Sequence, residues 1–182
     1  MSTAKHLGPF VLIFVFGVGC ASSPGHQVGT SVLMVPMPGN GQIMQEYPAV
    51  AVTVPLAPDS LYEIIKRAYQ ILEIPITQQS PIDRSVGNDA LKVRRKLGGL
   101  NMQQVLDCGE KLGMPNAETW DIWLSIFSTA VPDANGGSVV STRIQAMGHE
   151  TSRSNQDWVL CATKAELEEK IGNLVKSMAE KN

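Results

Sequence analysis

Residues 119–147 read TWDIWLSIFSTAVPDANGGSVVSTRIQAM, and this stretch decides the fold. Its first half places aliphatic residues at alternate positions: Ile122, Leu124, Ile126 and Ala130. Its second half, VVSTRIQAM, alternates in the same way, and PDANGG between the two is rich in turn formers. Alternation with a period of two is typical of a half-buried strand, and an Asn-Gly loop favours an antiparallel connection. The stretch therefore predicts a β-hairpin with one apolar face.

Two amphipathic helices are predicted, one before and one after this hairpin. The first carries an apolar stripe at helical spacing: Leu61, Ile64, Ile65, Ala68 and Leu72. The second carries an equivalent stripe: Leu167, Ile171, Leu174, Val175 and Met178. Ser60 with Glu63, and Thr163 with Glu166, have the spacing of a capping box, so we expect the helices to begin there. Each stripe needs an apolar surface to cover, and one face of an antiparallel sheet offers it to both.

Shorter segments complete an α+β fold. AVAVTVP (49–55), IPITQQ (74–79) and DALKVRRKL (89–97) are predicted strands, and LNMQQVLDCG (100–109) is predicted to form a helical turn or two. DWVLC (157–161) either joins the sheet or leads directly into the last helix. The prediction is an antiparallel sheet of four to five strands with two amphipathic helices on one face, in the order β-α-β4-α.

This order resembles that of TBP-like or helix-grip domains, such as those in the C-subunit lipoprotein of the bacterial β-barrel assembly machinery. The resemblance rests on LYEIIKRAYQILEIPI (61–76), the hairpin at 119–149 and ATKAELEEKIGNLVKSM (162–178), beneath a lipoprotein-like amino end. It covers residues 49–181 and is one of layout rather than of a diagnostic motif. It implies a single α+β domain at residues 49–182.

The amino end has the three parts of a secretory signal. Residues 1–6 are polar and include Lys5, residues 7–18 are almost wholly apolar, and small residues precede Cys20. The apolar run is about twelve residues long, whereas a membrane-spanning helix needs roughly 20. We therefore expect residues 1–19 to be a signal peptide.

The sequence GVGC (17–20) resembles a bacterial lipobox, although lipoboxes favour Leu where Gly17 stands. The resemblance implies cleavage before Cys20 and lipidation of Cys20, which would anchor the protein in a membrane. Ala21, in place of Asp, points to the outer membrane, with the domain facing the periplasm. The alternative is an ordinary signal cut after Ala21 or Ser23, which would give a soluble secreted protein. Residues 20–48, rich in Gly and Pro with almost no charge, are predicted to be the lipidated flexible linker.

Charge and cysteine content narrow the functional class. The chain has 15 Lys and Arg residues against 17 Asp and Glu, so it lacks the basic excess that a nucleic-acid partner favours. Cys108 and Cys161 remain after Cys20. An even pair in an exported protein predicts a disulfide, and two unpaired buried thiols are the alternative. No CxxC or His-rich partner accompanies them in the sequence, so we expect neither a metal site nor a cofactor.

Features that favour binding outweigh those that favour catalysis. The sequence contains no HExxH, GxSxG, P-loop or GxGxxG pattern, and we predict no catalytic residue. Trp123 and Phe127 lie four apart on one strand, so they share the face opposite Ile122 and Leu124. They mark a possible interaction face, unless the segment 31–48 or another chain covers them as ordinary core.

The only basic cluster in the sequence is formed by Lys92, Arg94, Arg95 and Lys96. It could contact acidic lipopolysaccharide or a partner protein, but such clusters are more often simply solvated. The leading hypothesis is a non-enzymatic envelope lipoprotein that acts as an interaction or scaffold module, with an envelope protein as its possible partner. The rival hypothesis is a carrier that holds a small apolar ligand between the sheet and a helix.

Overall fold

The computed structural model describes residues 27–36, 42–150 and 158–181, with side chains at 49–150 and 158–181. The helices in these ranges are α1 Pro58–Ile71, α2 Met102–Val105, α3 Asn116–Thr119 and α4 Glu166–Ala179. The strands are β1 Gln27–Pro36, β2 Gln42–Val54, β3 Gln78–Ser80, β4 Ser85–Val93, β5 Lys96–Leu97, β6 Leu100–Asn101, β7 Leu106–Asp107, β8 Glu110–Lys111, β9 Met114–Pro115, β10 Asp121–Pro132, β11 Ser138–His149 and β12 Val159–Thr163.

Strand β11 lies at the centre of an antiparallel sheet. Along one edge it pairs with the full length of β10, which confirms the predicted hairpin. Its other edge is divided, since residues 138–142 pair with β2 and residues 146–148 pair with β12. The main strand order is β1-β2-β11-β10-β4-β3, and β12 also pairs with the short strand β7.

Helices α1 and α4 contact each other and both pack against this sheet. Every second side chain of β10 and β11 is buried, and the large aliphatic members are Ile122, Leu124, Ile126, Val140 and Ile144. The helical stripes supply side chains with 0 % exposure: Leu61, Ile65, Ala68, Leu167, Ile171 and Val175. Burial of each large aliphatic side chain contributes about 1.5–3 kcal/mol, so this layer is the main source of stability. The α+β class and the antiparallel sheet are confirmed, whereas the TBP-like layout stays a prediction.

A close approach between α4 and β2 depends on Gly172. A Cβ atom at this position would lie 2.6 Å from Val52 Cγ2, closer than real Cβ contacts. Because glycine has no side chain, the helix backbone packs directly on the strand. The apolar stripe of α4 therefore reaches the sheet at Val52, which is itself buried.

The sheet extends further toward the amino end than the sequence predicts. Residues 27–36 form β1, and β2 begins at Gln42, so strands occupy part of the range 20–48 for which composition predicts a flexible linker. The ladder between β1 and β2 pairs backbone groups that an irregular linker would leave to water. The extra strand also explains why the sheet is wider than four to five strands. Cys20 and the predicted signal peptide lie outside the described residues.

Neither α1 nor α4 begins at the capping box that the sequence predicts. Helix α1 starts at Pro58, two residues before Ser60, because the fixed φ of proline suits the first helical position. Helix α4 starts at Glu166, after Ala165 in the left-handed region at φ 67°. Thr163 Oγ1 accepts a hydrogen bond from the Ala165 N–H and donates one to Glu168 Oε1 at 2.6 Å. The threonine therefore pairs with Glu168 rather than with Glu166.

Cys108 and Cys161 form the predicted disulfide. Cys108 follows β7 and Cys161 lies in β12, and the two strands pair through Asp107↔Ala162 and Leu106↔Thr163. Both cysteines are buried, with 5 % and 1 % exposure. The bond therefore ties the segment after α2 to the strand that leads into α4.

Polar side chains form a buried chain between the helices and the sheet. The Tyr69 hydroxyl lies 3.0 Å from Ser128 Oγ, which lies 2.7 Å from Thr142 Oγ1.

Glu168 of α4 is 0 % exposed, and burial raises the pKa of its carboxyl group above the usual value. Within the described part of the chain its Oε2 has no hydrogen-bond partner. A buried carboxylate with one unpaired oxygen is costly when charged, so this site opposes folding at neutral pH.

Replacement of both Cys108 and Cys161 by Ala should lower the free energy of unfolding by roughly 4 kcal/mol, since the bond closes a loop with a sequence separation of 53. Urea unfolding followed by tryptophan fluorescence measures the change. A reductant should lower the unfolding midpoint of the native protein and leave that of the double variant unchanged. An equal midpoint for the native protein with and without reductant would contradict the bond.

Glu168→Gln should make the protein more stable at pH 8 by about 1 kcal/mol or more, because the amide removes a buried charge. Since the folded-state pKa of Glu168 is raised, its favourable contribution is complete below the ordinary pKa of Glu and is lost as the pH rises through the folded value. The native free energy of unfolding should therefore fall over that interval, and the variant should lack this fall. Glu166→Gln, an exposed change on the same helix, is the matched control. Parallel pH profiles for the native protein and Glu168→Gln would sink the assignment.

Candidate functional site

The face of the sheet opposite α1 and α4 is the candidate site, and we call it the open face. On β10 the residues between the buried positions point to this side, among them Trp123, Ser125 and Phe127. Trp123 is 42 % exposed, whereas its neighbours Ile122 and Leu124 are buried beneath the helices. The predicted division of β10 into two faces is therefore present, and Trp123 lies on the side away from the helices.

Three rings form an aromatic cluster on the open face: Trp123, His149 and Trp158. The Trp123 and Trp158 rings pack edge to face with centroids 6.4 Å apart, and the His149 and Trp158 rings do so at 4.2 Å. Edge-to-face packing is one of the favoured arrangements of aromatic rings. Trp123 comes from β10, His149 ends β11, and Trp158 directly precedes β12. The cluster thus joins three neighbouring segments of the sheet.

Phe127 does not join this cluster. It lies four residues beyond Trp123, which is about 13 Å along a strand. Its ring packs over Gly87 of β4, where an added Cβ would overlap the ring and the Ile126 carbonyl oxygen. Phe127 is half-buried and fills the space that a larger residue at position 87 would occupy. Trp123 and Phe127 thus lie on the same face of β10, but only Trp123 belongs to the aromatic cluster.

Charged side chains surround the aromatic cluster in ion pairs. Asp121, with 11 % side-chain exposure, lies 3.2 Å from Arg94 Nε and 3.8 Å from Lys92 Nζ. Lys111 Nζ lies 2.6 Å from Glu150 Oε2, next in the chain to His149. Two members of the predicted basic cluster are thus paired with a carboxylate of the open face. The basic members of these pairs are largely exposed to solvent, which screens their charge, so the pairs affect the charge of the surface more than the stability of the fold.

The turn between β8 and β9 presents apolar side chains to solvent. Leu112 is 92 % exposed and Met114 is 55 % exposed. Leu112 has φ 54° and Gly113 has φ 77°, the backbone of a tight hairpin turn. The Lys111–Glu150 ion pair links this turn to the residue that follows His149.

The His149 side chain is in contact with the backbone and with an aromatic ring. Nδ1 of His149 lies 3.1 Å from the backbone oxygen of Glu150, and its ring packs on Trp158. Within the described ranges, no three His, Cys, Asp or Glu side chains are grouped so that they could share a metal ion. None of the helices in these ranges has the length and apolar character needed to cross a bilayer.

Two concave regions lie along α1 rather than on the open face. One, of about 740 Å³, is lined by residues such as Ser60, Glu63 and Arg67, and the other, of about 420 Å³, by residues such as Asp59 and Tyr62. Neither is lined by Trp123 or Phe127. The carrier hypothesis, a small apolar ligand held between the sheet and a helix, stays a prediction.

Trp123 was predicted from the sequence, but its two ring partners were not. His149 ends β11 and packs against Trp158. The alternation of DWVLC places Trp158 and Leu160 on one face, which was the available signal. The strand that pairs with this segment could not be predicted from the sequence. Residues 150–158 separate β11 from β12, and the two strands pair over only three residues.

Comparisons with known proteins add no family to this description. The chain matches no protein-family model and no curated protein.

Proposed function

We propose that the chain is a bacterial envelope lipoprotein whose α+β domain is a non-enzymatic interaction or scaffold module, anchored through Cys20 to the outer membrane and facing the periplasm. The observation that carries this proposal is the aromatic cluster on the open face. Trp123 remains 42 % exposed although it belongs to a strand whose other face is fully covered. Tryptophan is enriched among the residues that dominate binding energy at protein interfaces.

The surroundings of the cluster suit a protein partner. The rings of Trp123 and Trp158 form a preorganised apolar centre. The flanking ion pairs of Asp121 and Glu150 provide a polar rim. An apolar centre within a polar rim is the usual composition of an interface.

The disulfide supports the proposed compartment. Bonds between cysteines persist in exported proteins and are rare in the reducing cytosol. Cys108 and Cys161 are buried and bonded, as an oxidising space such as the periplasm allows. The lipid anchor itself rests on the GVGC sequence, with Ala21 as the argument for the outer membrane.

Trp123→Ala should weaken binding of an envelope partner by roughly 30-fold, the effect of a residue worth about 2 kcal/mol at an interface. A photoreactive amino acid at position 123 in living cells should cross-link one defined envelope protein, whose affinity for purified variants can then be measured. Ile71, an exposed apolar residue of α1, is the matched control position because it is 59 % exposed and lies away from the open face. Identical cross-links from positions 71 and 123, or equal affinity for Trp123→Ala and Ile71→Ala, would refute the role of the open face.

Cys20→Ser should release the protein from the membrane fraction, because no thioether lipid can form on serine. Ala21→Asp should keep the lipid and move the protein to the inner membrane. Density-gradient fractionation locates each variant, and mass spectrometry of the amino-terminal peptide detects the acyl chains. An unmodified Cys20 in a native protein that still sediments with membranes would disprove the lipid anchor.

A further inference from the structure

The two lateral edges of the main sheet differ in their protection against further pairing. One edge is β3, which has three residues, Gln78–Ser80, and is followed by Pro81. The Gln78 side chain donates a hydrogen bond to the carboxylate of Asp89 on the adjacent strand β4. Short length and a neighbouring proline are devices that hinder edge-to-edge pairing. The β3 edge is therefore protected.

The opposite edge, β1, ends in Pro36, but within the described residues it is neither short nor charged. It has ten residues and pairs with β2 without a register shift, so no bulge bends it away. The sequence from 27 to 45 contains no Asp, Glu, Lys, Arg or His. Among the described strands, none other than β2 pairs with β1. A long, regular and uncharged edge of this kind presents unpaired N–H and C=O groups that can template another strand.

The pairing of β2 gives a second reason to expect a further strand. Residues 50–54 of β2 pair with β11, whereas residues 42–49 pair with β1 alone among the described strands. A ribbon of two strands is marginally stable in water, and a third strand is usually needed. The outer edge of β1 is a position where that third strand can add along the full ribbon.

We propose that the outer edge of β1 pairs antiparallel with β1 of a second copy of this chain, about a two-fold axis, so that two sheets join into one. An antiparallel pairing of a strand with its own copy is self-complementary and closes as a dimer. The second copy offers an edge of the same length, and no like charges face each other across it, which would otherwise oppose pairing. This dimer goes beyond the proposed function and does not depend on the lipid anchor or on the open face.

A cysteine scan of β1 tests the pairing in the full chain carrying Cys20→Ser, so that a lipid plays no part. Single cysteines at positions 29 to 34 should form an intermolecular disulfide most readily at one position or two adjacent positions, where the axis crosses, and less readily on both sides. Cross-strand neighbours near the axis have Cβ atoms about 4.5–5.5 Å apart, within reach of a disulfide after small shifts. Light scattering coupled to size exclusion should show a dimer before cross-linking.

Val32→Lys in the same background should weaken dimerisation by about tenfold or more, since lysine on an edge hinders pairing. Position 32 lies opposite Glu46 in the β1–β2 register, so the new charge gains a partner inside the ribbon and the ribbon is kept. Gln79→Lys, the same change in charge on the β3 edge, is the matched control and should leave dimerisation unchanged. A monomer at all concentrations would overturn the proposal and leave the edge to a strand from another protein. A dimer without a cross-linking maximum in β1, or one equally tight in Val32→Lys, would also overturn it.

Discussion

Strand β11 is hydrogen bonded along both edges, and its second edge is shared between β2 and β12. This sharing determines where both long helices lie on the sheet. Near Ser138 that edge holds β2, which leads directly into α1. Near Met147 it holds β12, which leads into α4. The two helices therefore reach the same face of the sheet from the two halves of one strand edge, and they meet over β10 and β11. If β11 shifted by one residue, its buried and exposed faces would exchange, and both helices would lose the surface they cover.

The layer between helices and sheet is mostly apolar, but its polar members specify how the elements fit. Tyr69 of α1, Ser128 of β10 and Thr142 of β11 are hydrogen bonded in one buried chain. A shift of α1 over the sheet would break these bonds and leave buried hydroxyl groups without partners, at a cost of about 1–3 kcal/mol each. Glu168 has the opposite character, because one of its oxygens is paired with Thr163 and the other has no partner within the described residues. The hydrogen-bonded hydroxyl groups at α1 therefore stabilise the fold, whereas the unpaired oxygen of Glu168 at α4 destabilises it.

The strong periodic segments could be predicted from the sequence, and the non-local features could not. The hairpin of β10 and β11, the stripes of α1 and α4 and the Cys108–Cys161 bond follow from local period or from cysteine parity. The start of α4 was wrongly predicted because Ala165 adopts a left-handed backbone, which a short-range rule does not anticipate. Strand β1 was not predicted because its Gly, Pro and uncharged residues are typical of a linker, and only its pairing with β2 makes it a strand. In the candidate site, Trp123 was predictable from alternation, whereas its contact with Trp158 depends on the pairing of β12 with β11.

The pairing of β12 with β11 links the candidate site to the disulfide. Trp158 directly precedes β12, and Cys161 within β12 is bonded to Cys108. β12 pairs with β11 over three residues and with β7 over two, so its hydrogen bonds alone hold it weakly. The disulfide closes this short ladder and keeps Trp158 within contact of Trp123 and His149. Because the bond limits the freedom of β12, oxidation stabilises the domain and the aromatic cluster of the open face together.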